Sequence, residues 1–146
     1  RAFTKIYAMA GIRLGYGITY NYGLINKMYK SGAPWNVSTI AQAAGIAALN
    51  EKDYIDSTRL LINKEKQYIY NEFDRLKIKY WKGSADYIFF KSKNNLKEDL
   101  IKMGILIRDC SNYYNLTDGY YRIAVKKHDD NERLINALKY IYKKRL

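Results

Sequence analysis

The chain has 146 residues, 48% hydrophobic and 15% aromatic with a single proline, so it can bury a core and is too apolar for a disordered segment. No run approaches the roughly 18 apolar residues of a membrane span, the opening residues do not read as a secretory leader, and one cysteine, Cys110, excludes an internal disulfide framework. One domain, or one and a part, in the reducing cytoplasm is the expectation, and the formal charge of +12, carried by lysines scattered among apolar residues, reads as a solvated surface.

Residues 1–6 read as a strand end and a turn, and 8–11 as a loop of small residues. From Arg13 the run RLGYGITY alternates, with Arg13, Gly15, Gly17 and Thr19 on one face of an extended segment. Its two glycines strip that face of bulk. A short helix is predicted over 24–30, stopped by the Ser31-Gly32-Ala33-Pro34 turn. NVSTIAQAAGIAAL then starts a second helix capped by Asn36 or Ser38, whose small residues permit close approach of a neighbour. A longer helix follows over 53–75, with Ile55, Leu61, Ile62, Ile69 and Phe73 near helical spacing. The period then switches. Strands are predicted over 77–80, 86–91, 105–112 and 120–126, with a short helix over 95–103 that stops at Gly104. Asp129 caps a final helix over 130–144, with Glu132 three residues on. Four short strands with helices make an α+β module.

Two cations open the chain. Lys5 lies in a small polar turn, and Arg13 follows eight residues later. A lysine serves as a nucleophile when desolvation or a nearby cation favours its neutral amine. Thr4 and Arg13 offer a hydroxyl and a forked, permanently charged donor set suited to phosphate oxygens. Taken singly, Lys5 reads as a surface lysine and Arg13 as a strand-end arginine in an ion pair. His128, the only histidine, reads as solvated, Cys110 as a small buried hydrophobe, and one His with one Cys gives no zinc constellation.

Together these residues resemble a known signature. AFTKIYAMAGIRLGY is similar to the S-[FL]-[ST]-K-x-x-x-x-x-G-x-R-[LIV]-G-Y motif of fold-type-I pyridoxal-phosphate enzymes of the class I/II aminotransferase superfamily, nearest the histidinol-phosphate aminotransferase and threonine-phosphate decarboxylase branch. The resemblance implies that Lys5 is the catalytic lysine and forms the Schiff base with pyridoxal 5'-phosphate, while Thr4 and Arg13 bind the cofactor phosphate. Ala2 departs from the motif, which has serine there. The segment RDCSNYYNLTDGYYRIAVKKHDDN from Arg108 looks like the family's closing hairpin. By that likeness Arg122 binds the substrate carboxylate and Arg108 a substrate phosphate; the other reading of Arg108 is a strand arginine paired with Asp109 or Asp118. The wording R-D-C-S-N-Y is closer to threonine-phosphate decarboxylases, with a histidinol-phosphate or other aminotransferase as the alternative.

The implied fold is the C-terminal end of the cofactor-binding large domain, 1–50, then an interdomain helix and a small domain, 51–146, with a four-stranded, mainly antiparallel sheet packed by helices. The implied partners are a small phosphorylated, amino-acid-like substrate and a second copy in a homodimer, with neither nucleic acid nor membrane. Because the chain opens with Arg1 at the motif itself, it is expected to be a C-terminal piece that does not catalyse alone, the family's ring-stacking aromatic and pyridine-pairing acid lying upstream. Two rival readings are a basic nucleic-acid-binding module and a folded relic without chemistry.

Overall fold

A computed structural model describes residues 1–143. The chain divides into two compact units, Arg1–Thr58 and Arg59–Leu146.

The first unit carries a clip followed by helices. Ala2 pairs with Gly15 in an isolated antiparallel bridge, Phe3 N–H donates to Leu14 O at 3.1 Å, and Tyr16 N–H donates to Arg1 O at 2.8 Å. Between the two arms lie the turn around Lys5 and a 3₁₀ turn, Ala10–Ile12. Helix α1 is Tyr22–Ser31, and its cap Asn21 accepts the Leu24 N–H through Oδ1 at 3.0 Å. Helix α2 is Thr39–Asn50; of the two cap candidates, Ser38 does the work, accepting the Ala41 N–H at 3.1 Å. The buried stripe of α2 is Ala41, Gly45 and Ala48. These small residues let the helix lie close against the clip: a Cβ on Gly45 would come within 2.5 Å of Leu14 Cδ2 and 3.9 Å of Phe3 Cζ.

Helix α3, Lys52–Arg75, begins in the first unit and ends in the second. The second unit adds β1 Lys79–Trp81, β2 Tyr87–Lys91, α4 Leu96–Ile101, β3 Arg108–Asp109, β4 Tyr120–Ala124 and α5 His128–Lys143. The expected end of the last helix at Lys144 lies outside the described residues. The four strands form one antiparallel sheet in the order β1-β2-β4-β3. Its inner face carries Ile88, Phe90, Tyr121 and Ile123, packed on Ile69 and Phe73 of α3, Leu96 and Leu100 of α4, and Ile135 and Leu138 of α5. This is the expected α+β module with helices packing a four-stranded sheet.

Several boundaries differ from the sequence reading, and four of the differences have a hydrogen-bonding reason. The run from Arg13 is not a ladder strand: among the described residues its pairing is limited to the isolated Ala2–Gly15 bridge and the bonds of Leu14 and Tyr16 to Phe3 and Arg1 that flank it. Strand β1 starts at Lys79, since Leu76, Lys77 and Ile78 still donate to α3 carbonyls and Lys77 is left-handed at φ 54°. Strand β3 shrinks to two residues from both sides. Ile105 N–H closes the end of α4 on Leu100 O at 2.9 Å, and Asp109 Oδ1 captures Ser111 N–H at 2.8 Å. Helix α5 starts at His128, with no cap from Asp129. Asn131 folds back instead, accepting Lys126 N–H at 3.1 Å and donating to Lys126 O at 2.8 Å.

Candidate functional site

The first unit presents the lysine clip. Phe3 is buried, stacked on Tyr7 at 5.0 Å and edge-on to Tyr16 at 5.8 Å, and this aromatic root fixes the turn that follows it. Lys5 O accepts Ala8 N–H at 2.9 Å, which closes the turn and leaves the Lys5 side chain exposed; Thr4 beside it is half-buried. Arg13 sits at φ 56° and ψ 40°, a left-handed residue that ends the 3₁₀ turn, and its Nη1 donates to Ala10 O at 3.2 Å. No carboxylate pairs with it among the described residues, contrary to the strand-end ion pair that a solitary arginine suggests. A Cβ on Gly15 would lie 2.9 Å from Arg1 O, so the arms can pair this closely only with glycine there. The donor set of the clip is a primary amine, a hydroxyl and a guanidinium. That set fits an aldehyde bearing a phosphate, and Ala2 adds no hydroxyl to it.

The second unit presents Arg108 and Arg122. They are Cα partners across β3 and β4 and project from the sheet face opposite the core, alongside Lys79, Lys91, Trp81 and Phe89. Among the described residues none of the strand residues on that face is acidic. Each guanidinium lies over a tyrosine ring, Arg122 over Tyr87 at 4.6 Å and Arg108 over Tyr113 at 5.5 Å. Arg108 also donates to Asn112 Oδ1 at 3.3 Å. The expected alternative for Arg108, a pair with Asp109 or Asp118, is not formed: Asp109 faces the other side of the sheet, opposite Tyr121, and is engaged with Ser111. That hydrogen bond from the Ser111 backbone holds the Asp109 carboxyl below its ordinary range.

His128 is exposed, as the sequence suggests, but it has a buried partner. Its Nδ1 lies 3.2 Å from both oxygens of Glu65, a buried carboxylate that also accepts Asn131 Nδ2 at 2.9 Å. Burial alone would raise the Glu65 carboxyl, but the hydrogen bonds from Asn131 and His128 and the charges of His128 and Lys64 outweigh it, and the group is held below its ordinary value. Lys66 is a second buried charge that sequence reasoning missed: its ammonium donates to Gly83 O and to Ala85 O, the latter at 2.8 Å, across the β1–β2 turn. Cys110 is fully buried, and burial pushes its thiol up, the charges of Arg122 and Arg108 opposing this only in part.

Residues 1–138 match the family described as aminotransferase class I and II. The chain belongs to that family. This family depends on pyridoxal phosphate. Among its relatives, a Caldanaerobacter subterraneus protein carrying the provisional name threonine-phosphate decarboxylase is 39% identical over 97% of this chain and 40% of its own length. A Symbiobacterium thermophilum histidinol-phosphate aminotransferase is 35% identical over 95% of this chain and 38% of its own. The crystal structure of the histidinol-phosphate aminotransferase from Clostridium acetobutylicum superposes with a TM-score of 0.93 at 33% identity, covering 99% of this chain and 45% of that one. The chain thus spans about two fifths of the length of the curated aminotransferase-family relatives it matches.

Proposed function

We propose that this chain is the C-terminal part of a pyridoxal-phosphate enzyme acting on a small phosphorylated amino compound, with threonine phosphate favoured as substrate. The observation that carries the reading is the clip itself: an exposed lysine amine and an arginine held between paired arms, in a chain of the class I and II aminotransferase family. Residues 1–50 then complete the cofactor-binding domain, and 51–146 supply the interdomain helix and small domain.

When bound, pyridoxal phosphate supplies a ring that withdraws electrons from the substrate Cα. Lys5 would hold the cofactor through its aldehyde, and its amine would move a proton at the substrate Cα. Thr4 and Arg13 hold the cofactor phosphate. Arg122 would bind the substrate carboxylate through its two-pronged edge, and Arg108 the substrate phosphate. Threonine phosphate carries both anions. Histidinol phosphate carries only the phosphate, so on it Arg122 would have no carboxylate to hold. The relative from Symbiobacterium and the close superposition on the Clostridium structure favour the second reading, a histidinol-phosphate aminotransferase. A homodimer as the working form and a cytoplasmic setting go with either reading.

The test uses the full-length protein. Incubation with pyridoxal phosphate, borohydride reduction and peptide mass spectrometry should place the adduct on Lys5 and lose it in Lys5→Ala; an adduct elsewhere, or none, would sink the assignment. Steep salt-dependent binding to nucleic acid without any adduct would point to the rival basic module. Assays with threonine phosphate and histidinol phosphate side by side then separate release of carbon dioxide from transfer of the amino group.

A further inference from the structure

We propose that Tyr87 and Tyr113 are positioning residues that aim Arg122 and Arg108 at the two anions of the substrate; the inference rests on the anion-binding roles given to those arginines above. The sheet register carries it. Arg108 and Arg122 are direct cross-strand partners on one face, an arrangement of like charges that is unfavourable by itself. Structural arginines in such a place normally lean on a carboxylate. Neither of these has one among the described residues; each guanidinium instead lies over a tyrosine ring, at 4.6 Å and 5.5 Å.

The choice of partner has a chemical consequence. A carboxylate would occupy the N–H edge of the guanidinium and cancel its charge. An aromatic ring engages the flat face, leaving the edge and the positive charge available for an incoming anion. Tyr87 can do this because its own cross-strand partner is Ala124, which adds no bulk where the Arg122 side chain leans. Phe89, directly opposite Arg122, instead packs at a tilt on Trp81 at 4.9 Å and stacks on Tyr120 at 5.6 Å. The turn leading into Tyr87 is itself held, since buried Lys66 binds the carbonyls of Gly83 and Ala85.

The test is equilibrium binding of threonine phosphate, by calorimetry, to the full-length protein loaded with pyridoxal phosphate and reduced with borohydride so that nothing turns over. Tyr87→Ala should raise Kd about tenfold, and Tyr113→Ala about as much. Tyr87→Phe, which keeps the ring face and discards the hydroxyl, should stay within about twofold of the parent. Tyr87→Leu fills the site without a π face and should behave as Tyr87→Ala, which covers the case of an alanine variant that folds poorly. Tyr87→Ala and Tyr87→Leu binding as tightly as the parent, or Tyr87→Phe losing as much as Tyr87→Ala, overturns the inference. Arg122→Lys separates it from the reading beneath it: weak binding there with intact binding in Tyr87→Ala removes only the positioning role. A parent that binds neither threonine phosphate nor histidinol phosphate removes both.

Discussion

At the scale of single residues, several side chains owe their conformations to neighbours distant in sequence, which decides how legible they were. Lys5, Thr4 and Arg13 could be singled out because their spacing along the chain matches a family signature; the structure sets them on one clip, and their roles are those proposed above. Tyr87 and Tyr113 were not readable as partners of the arginines. Their contacts with the guanidinium groups require the pairing of β2 with β4 and the path of the β3–β4 turn, neither of which local periodicity fixes. Lys66 escaped for the same reason: a lysine on an amphipathic helix reads as solvated until the carbonyls that bury it are known. Gly119 is the sharpest single-residue requirement. It sits at φ +89°, a Cβ there would meet Ser92 O at 2.7 Å, and its own carbonyl accepts Ser92 N–H at 2.8 Å. Gly119→Ala is expected to cost about 2 kcal/mol, read as a lower melting temperature; unchanged melting would mean that the loop relaxes freely.

At the scale of elements, helices were legible and strand ends were not. Helical spacing located α3, whose buried positions include Ile69 and Phe73, while a stop turn located α1 and a cap with small residues located α2, each within a few residues. Strand limits moved because helix-terminal carbonyls of α3 and α4 claimed N–H groups at Ile78 and Ile105 that the alternating pattern had allotted to strands. Helix α2 shows how an element serves the candidate site without contributing a reactive group. Its Gly45 gives Leu14 and Phe3 room to seat, and these two residues root the arms of the clip. Gly45→Leu gains about 1 kcal/mol of helix propensity and overpacks the contact by about 2–3 kcal/mol. A net loss of stability is expected in thermal or denaturant unfolding, and a variant as stable as the parent would contradict the packing.

At the scale of the whole molecule, the buried carboxylates set the acid limit of stability in the second unit. Glu72 binds Lys139 Nζ at 2.6 Å and pairs with Arg75; the hydrogen bond from Lys139 outweighs burial and, with the charges of both cations, holds its carboxyl below the ordinary 4.5. Glu65 is shifted the same way. A carboxyl depressed in the folded state stabilises fully above its unfolded value and loses that contribution as pH falls through the folded one. Stability should therefore be flat above about pH 5 and decline below 4.5. Glu72→Gln should be less stable at neutral pH and show a shallower acid decline; an unchanged slope in pH-dependent denaturant titrations would remove Glu72 as its source. No helix among the described residues is long and apolar enough to cross a membrane. The sole thiol offers a different view of the same unit. Cys110 is sealed at the end of β3, its N–H bonded to Tyr120 O at 2.9 Å, so an alkylating reagent can reach it only when that edge of the sheet opens. Its labelling half-life is thus a clock for the fluctuation that parts Arg108 from Arg122, wound into the fold without any added probe.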